Sequence, residues 1–546
     1  MSMMKKLIYI FLVLPFLTSC GDFLDPDPRD RLSDRMFWED ETSTDLYLNS
    51  LYTYLPSYGN FGESQFNSGL LTEGMTSMLK YGSYSAGRGN ANTIVFNPFF
   101  VTADQSQGLV IWTESYTRIR RVNEFMAGIR QYAEYPDDVK NRYEAQARFF
   151  RAFLYYQLLL RTNTVILYED LPESNNKPLS SKAACWDFVE QDLAFAIEHL
   201  PVQWSSDQTG RITKGAALAM MSRAMLVAER WEKVREAANE VINLTDNGAK
   251  IYELNSSYQA AFQSYFSGNK ESILEFRYQL PQPTHTFDRK FAPGGDWANN
   301  GGDASPTQEM VEEYELATGG KPDWSAWHGR TTETPPYELL EPRFHASVLY
   351  NGADWKGRKI ESFEGGRDGY VDYGFQPNTF GKTTTGYYLR KYLDESISDI
   401  STTRSAQPWI EIRLAEVYLN LAEACYNLGE TNMANNALKT IRDRVDLPYN
   451  DNTGDELFHA IRQERKVELA FEGFHYWDLR RWRVAHEELN DVRFHGLKIT
   501  KAGEVFTYEY VDVDKQNRKF PERFYNFPIP IAEIANNTAV SQISLW

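Results

Sequence analysis

Leu421-Ala422-Glu423-Ala424-Cys425-Tyr426-Asn427-Leu428-Gly429-Glu430-Thr431-Asn432-Met433-Ala434, running on to Leu438 and Ile441, decides how the chain folds. Apolar residues recur at helical spacing on both sides of Gly429, and small residues at 422, 429 and 434 fall where two antiparallel helices touch closely around a tight turn. A weaker copy runs from Ala217 to Ile242, with Ser222, Met225, Trp231 and Ala238 in comparable positions and Ala228-Glu229-Arg230-Trp231 as the turn. Phe149, Ala152, Phe153, Tyr156 and Leu160 make the buried stripe of another helix. Arg148, Arg151 and Arg161 interrupt its apolar run, which rules out a membrane span and predicts a solvated or ion-paired flank.

These patterns predict a mainly α fold, a tetratricopeptide-like scaffold of about four helix pairs, the others falling at Thr44–Leu55 and Ile111–Leu160. Such units need about three stacked copies to bury a continuous core, yet here the copies lie far apart. Between them, residues 265–405 are rich in Gly, Pro, Asp, Asn and aromatics, too long for a linker. That stretch is expected to form an irregular, loop-rich ligand-binding lobe packed on the helices. Within it, Gly294-Gly295-Asp296-Trp297-Ala298-Asn299-Asn300-Gly301-Gly302 and Thr318-Gly319-Gly320-Lys321-Pro322-Asp323-Trp324-Ser325-Ala326-Trp327 are turn-forming blocks whose indoles should be hard to bury completely.

At the amino end, Lys5 and Lys6 precede an apolar run from Leu7 to Leu17 and then Thr18-Ser19-Cys20. The run is too short to span a bilayer. A basic start, an apolar middle and small residues before a cysteine resemble a bacterial lipoprotein signal, so residues 1–19 are expected to be removed and Cys20 to carry the lipid. Several acyl chains on one residue anchor stably where one would be marginal. Residues 20–42 then form a lipidated start and an acidic, Pro-containing tether, followed by helical repeats over 43–264, the lobe, and a C-terminal helical region over 406–546.

Composition narrows the function further. A net charge of −18 argues against gripping a phosphate backbone, so no nucleic-acid partner is expected. Three cysteines, at 20, 185 and 425, build neither a disulfide framework nor a CxxC zinc site, and the eight histidines lack ligand spacing. Gly381-Lys382-Thr383 ends like a phosphate-binding loop, but the upstream glycine that such a loop requires would fall at Gln376. Gly82-Ser83-Tyr84-Ser85-Ala86-Gly87 is not a nucleophile elbow. Asp303, Asp323 and Asp354 stand in loops without the twelve-residue calcium pattern, so neither metal nor cofactor is expected.

Ile410 to Ala424 and Ile461 to Trp482, which contains Glu464-Arg465-Lys466-Val467-Glu468-Leu469-Ala470-Phe471-Glu472-Gly473-Phe474-His475-Tyr476-Trp477-Asp478, closely resemble the SusD/RagB family of Bacteroidetes outer-membrane lipoproteins. The resemblance includes the Cys20-Gly21-Asp22-Phe23-Leu24-Asp25 start, the Ala147–Leu160 helix, Pro306 to Tyr314 and the closing Asn526-Phe527-Pro528-Ile529-Pro530. It implies a lipid-anchored, cell-surface protein that caps a TonB-dependent (SusC-like) channel and binds oligosaccharide, or in some members peptide, for import. The ridge Glu464, Glu468, Glu472 needs cations from Arg462, Arg465 or elsewhere, so it reads as a structural ion-pair network and His475 has no catalytic role. Trp477 and Trp482 are expected against the preceding helix.

A sugar ring offers an apolar face and polar edges, so exposed aromatic platforms with a few polar groups bind it without chemistry. Three loop groups supply these: Tyr81 and Tyr84 with Arg88, Asn90 and Asn92; Trp297 with Asp296, Asn299 and Asn300; and Trp324 with Trp327. Trp355, Tyr370 and Tyr373 are secondary candidates. The expected function is therefore non-enzymatic glycan capture at the outer membrane, with peptide capture on the same scaffold, or a surface glycoside hydrolase, as alternatives. A hydrolase would place a raised-pKa carboxylate and a second one beside the aromatic cluster.

Overall fold

Helix starts follow local capping chemistry. Asp40 accepts the N–H groups of Thr42 and Ser43 at the head of Glu41–Tyr52, Ser181 accepts that of Ala184, and Thr213 that of Ala216. The computed structural model describes residues 34–56, 72–81, 88–172, 174–263, 268–297, 301–372 and 381–546, with the side chains of residues 34 and 88–90 left aside. The scaffold helices are α1 (Asp34–Glu39), α2 (Glu41–Tyr52), α3 (Arg88–Phe96), α4 (Trp112–Tyr132), α5 (Asp137–Leu159), α6 (Lys182–His199), α7 (Lys214–Val227), α8 (Trp231–Ile242), α9 (Leu414–Asn427), α10 (Thr431–Asp443), α11 (Gly454–Glu468) and α12 (His475–Arg481). Consecutive helices from α4 to α8 pack each on the next, and α8 then packs on α9. The two repeat copies so distant in sequence are direct neighbours in space.

Their turns are superimposable in hydrogen bonding. Arg230 N–H donates to Met225 and Glu229 N–H to Leu226, while Glu430 N–H donates to Cys425 and Gly429 N–H to Tyr426. Both pivots are left-handed, Gly429 at φ 76° and Glu229 at φ 60°. The Arg235 guanidinium on α8 pairs with Glu430, clamping one repeat to the next.

The intervening lobe is irregular, with short strands that tie it down. Strand β1 (Leu79–Tyr81) pairs antiparallel with β3 (Ala304–Pro306), and β2 (Ser272–Phe276) with β5 (Trp409–Arg413), which runs directly into α9. The C-terminal region departs from the helical expectation: β6 (His495–Ala502) and β7 (Val505–Asp512) form a long hairpin whose second strand takes up β4 (Arg330–Thr331) from the lobe. Leu497, Ile499 and Tyr508 alternate inward along it, and Gly503 turns it at φ 61°. The two-residue period was present, embedded in a region assigned to helices.

A buried charge network joins lobe to scaffold. Arg413 contacts Glu271 at 2.9 Å, Glu468 at 2.6 Å and Glu472 at 2.7 Å. Arg444 adds Glu271 and Glu468, Arg343 reaches Glu341, Glu464 and Glu468, and Arg442 pairs with Glu315 and Glu464. Burial opposes ionisation of Glu468, but Arg444, Arg413 and Arg343 together hold it far below the usual carboxylate range. Lys391, donating to Glu472, Tyr258 and Ala470, is pushed down to about 8 by burial against the pull of Glu472. The expected network is thus present, its cations coming from other elements, while Arg465 pairs with Asp478 and Arg462 with Glu488. Burial holds His475 down near 3, so it is neutral. Trp482 packs on Phe458 of α11 as expected, whereas Trp477 lies under the guanidiniums of Arg161 and Arg480.

Candidate functional site

Most of the candidate groups lie on two described stretches of the lobe, residues 289–297 and 301–333. The first of these stretches is shaped by close backbone approach: a Cβ at Gly294 would lie 2.0 Å from the carbonyl oxygen of Gly381. Gly295 N–H donates to Asp368, and Arg367 donates to the Gly295 carbonyl. Asp296 is spent internally, its two oxygens accepting Trp355 Nε1 at 2.8 Å and Arg358 at 2.7 Å. Arg358 simultaneously reaches Asp368 at 2.7 Å. Asp296 thus braces the turn rather than facing a ligand. Its neighbour Trp297 stays half-buried, with the Arg289 guanidinium 5.5 Å from the ring. Arg289 is itself held by the carbonyls of Ile400 and Ser401.

In β3, Ala304 faces Tyr81. Tyr81 is a correction to the expectation of a surface ring: it is buried, lying on Gly74, where a Cβ would come within 1.9 Å of the tyrosine. Beyond β3, Glu309 and Glu312 point toward the hairpin. Glu309 accepts from His495 Nδ1 at 2.6 Å, and Glu312 pairs with His328 Nε2 at 2.8 Å. Burial works against charge on His495, but Glu309, with Asp512 and Asp514, raises its pKa above the ordinary value.

Further on, the turn Trp324–Trp327 is capped by Asp323, which accepts Ser325 N–H. The two indoles meet edge to face with centroids 5.6 Å apart. Trp324, only 5% exposed, is the second correction, since the indole expected to remain open is packed into the core. Trp327 is half-buried, its Nε1 donating to Glu333 at 2.9 Å. Next to it, exposed His328 lies 4.7 Å from the ring of Tyr510, which also stacks on His495 at 4.3 Å.

Trp355 and Tyr370 are buried as well, leaving Trp297 and Trp327 as the described candidate rings with an open face. Tyr84, Asn299 and Cys20 and the side chains of Arg88 and Asn90 lie outside the described residues. The sequence reading missed His328, Tyr510, His495, Glu309 and Glu312. Glu309 and Glu312 stood in a quoted segment, but nothing local signals that a hairpin nearly two hundred residues later would meet them. Among the described residues no group of three or more His, Cys, Asp or Glu is placed to hold a metal ion. None of the described helices is long and apolar enough to cross a membrane.

Comparison with known proteins gives a consistent picture. The family model described as SusD family matches residues 262–546, more than half the chain, and one described as "Starch-binding associating with outer membrane" matches 22–226. A SusD-like protein of Bacteroides ovatus is 24% identical over 506 residues, covering 88% of this chain and 83% of that protein. The crystal structure of a SusD-like protein of Bacteroides fragilis superposes with a TM-score of 0.79 at 27% identity, covering 95% of this chain and all of that one. A SusD-like carbohydrate binding protein of the same species gives 0.75 at 25% identity, over 92% of this chain and 100% of its own.

Proposed function

The chain belongs to the SusD family, and from that premise we propose that it is a non-enzymatic, cell-surface lipoprotein that captures oligosaccharide and passes it to a TonB-dependent outer-membrane channel. The observation that carries this reading is the half-open aromatic surface of Trp327, His328 and Tyr510, edged by Glu309 and Glu312, with half-buried Trp297 as a further ring of the same lobe. Stacked rings take the apolar face of a sugar, and carboxylates and imidazoles accept or donate to its hydroxyls. The description of the N-terminal family model and the carbohydrate binding named for the Bacteroides fragilis relative support ligand class and location. Lipidation at Cys20 supplies the anchor.

Binding without hydrolysis is favoured by the acid groups. The described carboxyls pushed upward, Glu73, Asp192, Asp288, Glu341 and Glu411, owe this to burial, so none is presented to a sugar in solvent as a general acid. The net charge of −18 favours neutral over acidic glycans. Calorimetry against a panel of neutral oligosaccharides and of peptides tests the assignment. Trp327→Ala and Trp297→Ala should each weaken glycan binding about tenfold, from loss of about 1–1.5 kcal/mol of stacking, with helical content unchanged. Unaltered affinity in both variants refutes the site, binding of peptides alone refutes the ligand class, and release of shorter sugars refutes the non-enzymatic role.

A further inference from the structure

We propose that the turn following α3 is a membrane-seating prong that inserts Phe99 and Phe100 into the lipid surface to which the chain is anchored; the proposal rests on the lipid-anchor reading above. Phe99 is 82% exposed and Phe100 62%, and no other large apolar side chain among the described residues is as exposed as Phe99. The two rings meet edge to face at 5.7 Å.

This exposure is built into a braced turn. Pro98 fixes the first position, and the N–H groups of Phe100 and Val101 return to the carbonyls of Asn97 and Pro98, each at 3.0 Å. The Arg523 guanidinium donates to the carbonyls of Pro98 at 2.6 Å and Val101 at 3.1 Å, and lies over the ring of Trp546 at 4.4 Å. Val101 is fully buried behind it. Upstream, Lys519 N–H donates to Val95 and the Gln516 amide to Phe96, so the 516–523 segment clamps the base of the prong from end to end. Leu545, beside Trp546, adds a further side chain that is 63% exposed.

A convex apolar prong needs no complementary pocket in a fluid interface, where aromatic rings settle at headgroup depth. Lys515, Lys519, which pairs with Asp491, and Arg523 lie along its base on a chain that is otherwise strongly acidic, and they would meet lipid phosphates. The anchor geometry allows the contact. α1 packs against the Gly128 end of α4, where Trp38 covers Gly128, while Trp112 at the other end donates to Glu533, ten residues past the 516–523 brace. Those ends are about 24 Å apart at 1.5 Å per residue. The fourteen residues from Cys20 to 33 can reach about 46 Å. The tether is thus longer than α4, and the lipid-bearing residue is not confined to the α1 end of the scaffold.

The test uses the full mature lipoprotein in vesicles of phosphatidylcholine and phosphatidylglycerol. A nitroxide is placed at Phe99→Cys or, as control, at exposed Leu339→Cys; Cys185 and Cys425 are buried and escape labelling. Collision with a water-soluble nickel chelate should be at least about fivefold rarer at 99 than at 339, with equal access at both when lipid is absent. Equal access in vesicles overturns the prong, and so does shielding that persists without lipid and carries dipolar broadening, the mark of a second copy. Mass spectrometry of Cys20 separately reads the anchor. Without acylation, flotation of the unlipidated chain with the same vesicles still decides the prong, since Phe99→Ser with Phe100→Ser should reduce binding at least tenfold and no reduction overturns it.

Discussion

The twin turns at 228–230 and 428–430 allow a reciprocal experiment on backbone strain. Glu229 is exposed and makes the same left-handed pivot as Gly429, at φ 60° and 76°. A side chain in that region costs about 1–2 kcal/mol, whereas glycine costs about 0.4–1 kcal/mol more to order from the unfolded chain. Glu229→Gly should therefore stabilise by about 0.5–1 kcal/mol. At Gly429 an added Cβ meets nothing within 4 Å, so no neighbour contributes and Gly429→Ala should destabilise by a similar amount for the backbone reason alone. Urea unfolding followed by far-ultraviolet circular dichroism reads both as shifts in midpoint at constant slope, in opposite directions. The reasoning fails if Glu229→Gly lowers the midpoint, or if both variants shift it the same way.

Two further substitutions probe the buried charges. Burial pushes Glu73 up to about 8; Gly473 N–H, at 2.6 Å from Oε1, and Lys391 oppose this, while Asp478 and Glu472 add to it. The folded chain then keeps the proton below about 8 while the unfolded one releases it above 4.5, so stability is lost as pH rises through that window. Glu73→Gln keeps the acceptor and should remove the loss, gaining at most about 5 kcal/mol at pH 9 and nothing at pH 4, as read by thermal melts across pH; an equal gain at both pH values would contradict it. Arg413→Met strands Glu271, Glu468 and Glu472 in a site closed to water and should cost about 3–5 kcal/mol. A midpoint within 0.5 kcal/mol of wild type, by the same urea assay, would show that Arg444 and Lys391 suffice alone.

The helical repeats were legible because their signals are local. A small residue at 422, a glycine at 429 and another small residue at 434 each answer to a contact within one helix pair, and the weaker copy around Glu229 kept every feature except the glycine. The binding surface was only partly legible, since aromatic residues in Gly-rich turns look alike until burial separates them. Tyr81, Trp324 and Trp355 went inward and Trp297 and Trp327 stayed half-open; Gly74 makes room for Tyr81 and Asp296 takes the Trp355 indole N–H, and neither residue is distinguishable in the sequence from one that faces solvent.

What the amino-acid order settled by itself is the helix-pair scaffold, the acidic ridge at 464–472 with its need for cations, and the family. Each depends on spacing within a few turns of chain. Tertiary structure alone decided which cations answer that ridge and that α8 docks on α9 across the whole lobe. It also decided that His328, Tyr510 and His495 stack beside Glu309 and Glu312. Those pairings join segments far apart in sequence, where the contact is fixed by the path of the whole chain and not by any local preference.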